Sequence, residues 1–159
     1  MEVNPYAKFV GDRDPVAVIR GTPGTVRELL GRTPEEQTRV RAPETKWNAR
    51  EIVCHLADCE MVFAFRLRQT LAEDSPVLQP FDQGKWALRY GNLDVAEALR
   101  MFAAAREWNV RLIEATTSAE RARQVTHPER GTMTFWTIVE TMAGHDRNHL
   151  GQLDRLAAE

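Results

Sequence analysis

Apolar residues recur every three or four positions along nearly all of this 159-residue chain, and this spacing constrains its fold more than any other feature. Side chains at that spacing share one face of an α-helix. No segment shows the alternation that is typical of a β-strand. Four long helices of this kind predict an all-α fold, a four-helix bundle. We expect residues 1–159 to form one domain, because no repeat or linker separates two cores.

The first long helix is predicted between residues 14 and 31. Asp14 can cap it and Pro15 suits its first turn. Gly31 is the predicted stop. The tripeptide at 22–24, Thr-Pro-Gly, predicts a kink or a division into two short helices. A short helical turn is expected at residues 33–36, where the threonine and the second glutamate have capping-box spacing.

A loop through residues 42–44, Ala-Pro-Glu, is expected before the second long helix. Asn48 is the predicted N-cap of that helix, and Glu51 completes a capping box three residues later. The apolar face continues to about Ala72, where a Ser-Pro pair follows shortly.

The second half of the chain is predicted as loop, helix, loop and helix. Residues 75–92 contain two prolines, two glycines and three aromatic residues, and indicate a long loop. The third helix is expected to start at residues 93–94, with an end or a short turn at 118–120. Residues 126–131 form a predicted polar loop, and the last helix should begin within 132–134.

Composition excludes several classes of protein. A net charge of -2, a pI near 6.1 and 21 dispersed basic residues argue against nucleic-acid binding. No segment has the apolar length of a membrane span or the pattern of a signal peptide. Cys54 and Cys59 lie on one predicted helix and diverge in direction, so we expect two reduced thiols. A cytoplasmic protein without nucleic-acid or membrane partners is therefore predicted.

Three of the four histidines fall on apolar helical faces. His145 and His149 are four residues apart near the C-terminus, so their side chains leave one face of a helix one turn apart. His55 lies on the inner face of the second helix. Burying such imidazoles without partners is costly, and a shared metal ion removes that cost. The pattern predicts a three-histidine metal site, although spacing alone leaves ordinary packing open.

Two residues near His55 have open roles. Asp58, three residues on, could orient an imidazole or handle a proton, or could be a polar helix residue paired with Arg147. Cys59, one turn on, could be a fourth ligand or inert packing.

Further candidates lie outside that helical turn. Asp146 occupies the place of the glutamate in the zinc-protease pattern HExxH, and could support a ligand or form a salt bridge with Arg147 or Arg50. His127 could serve as an acid–base group at the entrance or be a solvated loop residue. Arg66 could bind an anionic substrate or extend its charge to solvent. The residue one turn beyond His149, a glutamine at position 152, could hydrogen-bond near the site or close the core.

The ordered set of motifs resembles the DinB-like, or YfiT-like, family of metal-dependent enzymes. Taken together the motifs span roughly residues 22 to 156, and their order is more specific than any one of them. They are Trp47-Asn48, Glu51-Ile52-Val53-Cys54-His55-Leu56-Ala57-Asp58, Phe81-Asp82 with Trp86, His127-Pro128-Glu129-Arg130-Gly131, and His145-Asp146-Arg147-Asn148-His149-Leu150-Gly151-Gln152.

This resemblance implies a four-helix bundle with an up-down-down-up course and a long loop between helices two and three. It also implies that His55, His145 and His149 bind a divalent metal ion, with zinc, nickel and iron all suited to the site. Asp58, His127 and Asp146 are the residues expected to handle protons.

The chemistry that the resemblance implies is an S-transfer that uses a low-molecular-weight thiol such as bacillithiol, mycothiol or a glutathione-like cofactor. A metal-dependent hydrolase acting on a small molecule is the alternative. A metal- or ligand-binding module without catalysis is the rival outside enzymes. Relatives often dimerise, which leaves a homodimer open.

Overall fold

A computed structural model of the chain describes residues 3–40 and 47–158, so the predicted loop at 42–44 lies outside the described residues. Helices make up most of the described part, and a two-stranded antiparallel hairpin adds the rest of the regular structure. The elements are α1 (Ala7–Val10), α2 (Pro15–Arg32), α3 (Glu35–Arg39), α4 (Ala49–Ala72), α5 (Gln83–Ala87), a 3₁₀ turn (Tyr90–Asn92), α6 (Val95–Glu114), α7 (Ser118–Arg121), β1 (Gln124–His127), β2 (Gly131–Thr134) and α8 (Phe135–Ala158).

The four long helices α2, α4, α6 and α8 form the bundle. Helix α2 packs against α6 and α8, and α4 packs against the same two helices from the other side. Cys54 shares a small core cluster with Ala98 near the start of α6, whereas Arg68 donates to Asn109 further along it, so α4 and α6 run in parallel. The long connection between them is a crossover rather than a tight turn.

The remaining contacts complete the up-down-down-up course that was predicted. His55 of α4 lies beside His149, and Phe63 lies beside His145, so α4 and α8 are antiparallel. The start of α2 packs with the end of α6 in one apolar cluster, and the end of α2 packs with the start of α6 in a second. Polar side chains occupy the level between these two clusters.

Helix α2 is one continuous helix of 18 residues, so the predicted division into two short helices is wrong. Pro23 has no N–H to donate to the carbonyl of Ile19, four residues earlier. That buried carbonyl instead accepts a hydrogen bond of 2.7 Å from Nη1 of Arg106. The proline is tolerated inside the helix because another side chain satisfies the group that it leaves unpaired.

The capping signals had different outcomes. Asn48 and Glu51 form the predicted capping box, and α4 ends at Ala72 as expected. Thr33 does not cap a following helix: its hydroxyl donates to the carbonyl of Leu29 at the end of α2. Helix α3 begins after Pro34 without a side-chain cap, so the predicted capping box there is wrong.

The expectation that the chain has no strand is also wrong. Residues 124–127 and 131–134 form a hairpin in which Val125 faces Met133 across the register, and both side chains are buried. Gly131 starts the second strand at a φ of 86°, which a residue with a Cβ rarely adopts. The predicted loop at 75–92 likewise contains α5 and the 3₁₀ turn. Every described helix is either too short or too polar to span a lipid bilayer.

Candidate metal centre

Helices α4 and α8 bring His55, His145 and His149 together inside the bundle. The ring centres of His145 and His149 are 4.5 Å apart on the inner face of α8. The His55 ring, from α4, lies 5.0 Å from that of His145 and 4.8 Å from that of His149. The Nε2 atoms of His55 and His145 are 3.0 Å apart. All three side chains are buried and lie side by side; that they bind a metal ion stays a prediction.

Aromatic side chains enclose the histidine cluster. The Trp47 ring lies 4.5 Å from the His55 ring. Tyr6 and Phe63 approach the His145 ring edge-on, at centre distances of 5.3 and 5.9 Å. These rings replace water around the imidazoles and lower the local dielectric, which strengthens any interaction with a charged species in the cluster.

Hydrogen bonding fixes the orientation of one histidine and leaves another with a free nitrogen. Nδ1 of His149 lies 2.9 Å from Oε1 of Gln152. An amide oxygen only accepts, so Nδ1 carries the proton and Nε2 keeps its lone pair. The predicted role of Gln152 in hydrogen bonding near the site is thereby confirmed. Nδ1 of His145 is buried and has no hydrogen-bond partner among the described residues.

Burial keeps the three imidazoles neutral. Desolvation, followed by the charge of His149, lowers the pKa of His55 to about 3. Desolvation also lowers the pKa of His145, and the neighbouring histidines lower it further. The pKa of His149 is lowered by burial, against the effect of its bond to Gln152. Neutral imidazoles present lone pairs at physiological pH, as metal ligation requires.

Cys59 adds a sulfur atom to the cluster. Its Sγ lies 3.5 Å from Nε2 of His55. Three side chains each place one potential ligand atom within 4.8 Å of the other two: His55, Cys59 and His145. Two nitrogens at roughly 2.1 Å from one metal ion are about 3.0 to 3.4 Å apart, and the observed approach of His55 and His145 lies in this range. This donor set fits a divalent transition metal.

A buried charge network lies beside the histidines, and the sequence interpretation missed it. Asp146 pairs with Arg106 through bonds of 2.5 and 3.1 Å, not with Arg147 or Arg50 as was proposed for a salt bridge. Nε of Arg106 also donates to Glu60 over 2.9 Å. The three charged side chains are almost completely buried. Together with the carbonyl of α2 described above, they tie all four long helices together.

A signal for this network exists in the sequence. Arg106 follows Phe102 by four residues and precedes Val110 by four, so it lies on the apolar face of α6. Glu60 holds the same kind of position on α4, four residues after Leu56. Charged residues at core positions indicate a buried pair, but the spacing does not identify the partners.

The Asp58 side chain forms its hydrogen bond with Tyr90 and not with the histidines. Its Oδ2 accepts a hydrogen bond of 2.8 Å from the hydroxyl of Tyr90, and no ion pair with Arg147 is present among the described residues. Burial raises the pKa of the Asp58 carboxyl, and the bond from Tyr90 opposes that change. A role for Asp58 in proton transfer stays a prediction.

His127 is the last residue of β1 and is buried, so the alternative of a solvated loop histidine is wrong. Its Nδ1 accepts a hydrogen bond of 3.2 Å from the backbone N–H of Glu129. The side chain lines a cavity of about 10 Å³ together with Phe63, Arg66 and Arg130. Phe63 lines this cavity and its ring lies 5.9 Å from that of His145, whereas His127 has no hydrogen bond or ring contact with the three histidines in the described part of the chain.

Known proteins resemble the chain in sequence and in fold. The sequence profile of the DinB superfamily matches residues 19–153. A protein of Oceanobacillus iheyensis named "Putative metal-dependent hydrolase" is 29% identical over 69% of this chain, and the match spans 64% of the relative's own length. A protein of the same name from Geobacillus kaustophilus is 28% identical over 89% of this chain and 81% of its own.

A solved structure shows the same arrangement of helices. YfiT from Bacillus subtilis, described as a probable metal-dependent hydrolase with an unusual four-helix bundle topology, superposes with a TM-score of 0.84. The superposition covers 91% of this chain and 84% of YfiT, at 20% sequence identity. At that identity the likeness establishes the fold alone.

Proposed function

The chain belongs to the DinB superfamily, and on this premise we propose that it is a metal-dependent enzyme acting on a small molecule. His55, His145 and His149 would hold a divalent ion, with Cys59 as the alternative third or fourth ligand. The observation that carries the proposal is the burial of three imidazoles side by side in an aromatic enclosure. Donor atoms of His55, Cys59 and His145 already lie within 4.8 Å of one another, whereas His149 lies outside that group and would have to move closer to join it. Apart from the bond of His149 to Gln152 and the approach of His55 to His145, only Nδ1 of His145 among these imidazole nitrogens is buried with no partner in the described part of the chain, and a buried polar atom without a partner is costly.

When bound, a divalent ion supplies Lewis-acid chemistry that lowers the pKa of a thiol or water at neutral pH. The residues of the chain supply the rest. Gln152 holds the proton on Nδ1 of His149 and directs Nε2 inward. Trp47 and Phe63 exclude water from the imidazoles. Asp146 holds the helix segment that carries His145, because its carboxylate is fixed by Arg106.

We propose S-transfer from a low-molecular-weight thiol as the reaction, with hydrolysis as the alternative. Three neutral ligands leave the charge of an ion uncompensated, which favours an anionic thiolate as the fourth partner. The names of the relatives favour hydrolysis. His127, Asp58 and Asp146 are the proposed proton-handling residues, and His127 shares a cavity with Phe63, whose ring lies 5.9 Å from that of His145. In this proposal the protein is cytoplasmic, forms one domain, binds no nucleic acid and works as a monomer or homodimer.

A non-catalytic metal- or ligand-binding module remains the rival, and Cys59 is the observation that favours it. A structural zinc site closes four positions with protein ligands. Three histidines and one cysteine would do so, whereas a cysteine that only packs leaves a position for substrate. Burial raises the pKa of the Cys59 thiol far above its usual range, which favours packing as an uncharged thiol before any ion binds.

The experiment that tests the function is an activity screen of metal-free protein reloaded with Zn²⁺, Ni²⁺ or Fe²⁺. Each form is assayed for conjugation of chlorodinitrobenzene to glutathione, bacillithiol or mycothiol, and for hydrolysis of nitrophenyl esters. Metal-dependent conjugation that His55→Ala abolishes supports S-transfer. Metal-dependent ester hydrolysis alone selects the hydrolase. Metal binding without turnover in any assay contradicts the proposed S-transfer and favours the module.

A further inference from the structure

Two arginines and a histidine line one small cavity between α4, α8 and the hairpin. Arg66 comes from α4, His127 ends β1, and Arg130 lies in the turn that joins the strands. Phe63 forms the wall toward the histidine cluster, and its ring lies 5.9 Å from that of His145. A group bound in this cavity would therefore be one aromatic ring away from the proposed metal centre.

Arg66 has no acidic partner among the described residues. Its Nη2 donates to the carbonyl of Gln79 over 3.1 Å, and its guanidinium lies 6.0 Å from the ring centre of Phe81. Its Nε is buried without a hydrogen-bond partner. A guanidinium normally forms charge-assisted bonds when it leaves water, as Arg106 does with two carboxylates. The alternative that Arg66 simply extends its charge to solvent does not explain the buried Nε.

Arg130 and His127 add donors to the same cavity. Within residues 3–40 and 47–158, the Arg130 side chain forms no ion pair or hydrogen bond. Nδ1 of His127 accepts the N–H of Glu129, so in the neutral ring Nε2 carries the proton and can donate. Glu129 itself is exposed and pairs with neither arginine. The cavity thus collects donors and lacks an acceptor of matching charge.

The electrostatics agree with this geometry. Burial, and then the charge of Arg130, lowers the pKa of Arg66. Burial, then Arg66 and Arg130, lowers the pKa of His127, and the smaller opposing effect of the Glu129 carboxylate does not reverse it. The positive charges of Arg66 and Arg130 therefore repel each other across the cavity, and a bound anion would reduce this repulsion.

We propose that Arg66, Arg130 and His127 form a subsite that binds the carboxylate or phosphate group of an anionic small-molecule substrate. The inference rests on the proposed function, since it assigns the substrate class of the same site. A cavity of about 10 Å³ has room for about one water-sized group, so it would hold one oxygen of the anion. The remainder of the substrate would lie outside the cavity, and reaching the histidines would require the Phe63 side chain to turn aside.

The test is calorimetric titration of metal-free and metal-loaded protein with inorganic phosphate and, separately, with succinate. Arg66→Gln and Arg130→Gln should each weaken binding about tenfold or more, because each removes charge-assisted donors. Arg27→Gln, which removes the same charge from an exposed position on α2, should bind like the wild type. Preference for phosphate or for succinate distinguishes the two substrate groups.

Equal binding by the wild type and both cavity variants would overturn the proposal, as would the absence of binding to either anion. Arg130 lies in a turn and is half-exposed, so Arg130→Gln should fold. This variant alone still tests the proposal if Arg66→Gln fails to fold. Metal content is measured on the same samples. If anion binding is lost while one equivalent of metal is retained, the subsite and the metal centre are independent. If no sample binds metal, the metal-dependent function fails while the calorimetry still decides the subsite.

Discussion

Arg106 is a buried cation whose two carboxylate partners come from different helices. Glu60 reaches it from α4 and Asp146 from α8, and the backbone of α2 supplies a further acceptor. Burial alone lowers the pKa of Arg106, but the two carboxylates outweigh burial and raise it. The guanidinium therefore stays charged in the core, and its neighbours depend on that charge.

Removing Arg106 should destabilise the fold strongly. In Arg106→Ala, two buried carboxylates lose their cation, and we expect the free energy of unfolding to fall by about 3–5 kcal/mol. Urea denaturation followed by circular dichroism measures the change. The matched control is Arg111→Ala on the same helix, whose pair with Glu107 is exposed and should contribute little. Equal midpoints for the two variants would contradict this account of the network.

The clustering of the three histidines could be predicted from the sequence, whereas the partners of Arg106 could not. His145 and His149 are related by local helical geometry, and His55 lies on an apolar face whose partner in a bundle is limited. The partners of Arg106 lie 46 and 40 residues away along the chain, and nothing local relates them. Pairing at that separation depends on which helices are neighbours, which the helical periodicity does not determine.

At the scale of elements, helix ends with strong local chemistry were predictable. The capping box of Asn48 and Glu51 forms as expected, because the two residues satisfy each other's backbone N–H groups. The hairpin was missed because its strands are only four residues long, too short for an alternating pattern to be recognised. The continuity of α2 through Pro23 depends on Arg106, a residue of another helix.

The contact between the N-terminal segment and α8 gives a prediction at this scale. An added Cβ on Gly144 would collide with the carbonyl oxygen of Tyr6, so the backbone would have to move. We expect Gly144→Ala to lower the free energy of unfolding by about 1–3 kcal/mol. A Cβ added at Gly151 in the same helix would have no neighbouring atom closer than 4.0 Å. Gly151→Ala should therefore raise the free energy of unfolding by about 0.5–1 kcal/mol.

Thermal unfolding of both glycine variants tests this contact. Opposite shifts in melting temperature are expected. A melting temperature of Gly144→Ala at or above that of the wild type would mean that Tyr6 does not pack on α8.

At the scale of the whole molecule, a polar layer separates the two apolar clusters of the bundle and contains both the histidines and the Arg106 network. The histidines are neutral when buried, so folding and protonation are linked. Their folded pKa values lie below the ordinary value of 6.5, which means that the unfolded state binds protons more readily. The free energy of unfolding is therefore highest above pH 6.5 and decreases as the pH falls below that value.

The metal-free protein should accordingly unfold on acidification. Each of the three histidines contributes a loss of up to about 1.4 kcal/mol per pH unit below the ordinary pKa, and for His55 this continues to about pH 3. Urea midpoints measured in chelator between pH 8 and pH 5 should fall steeply below pH 6.5. A flat profile through this range would show that the histidines are not buried as neutral groups.

The central claim, that His55, His145 and His149 hold one divalent ion, is tested most directly by elemental mass spectrometry of untagged protein. The account predicts one equivalent of metal in the wild type and in Cys59→Ala, and none in the His145→Ala/His149→Ala double variant that remains folded. Loss of metal in Cys59→Ala would make the sulfur a ligand and favour a closed, structural site. No metal in the wild type after reloading with Zn²⁺, Ni²⁺ or Fe²⁺ would contradict the claim, and the metal-dependent function would fall with it.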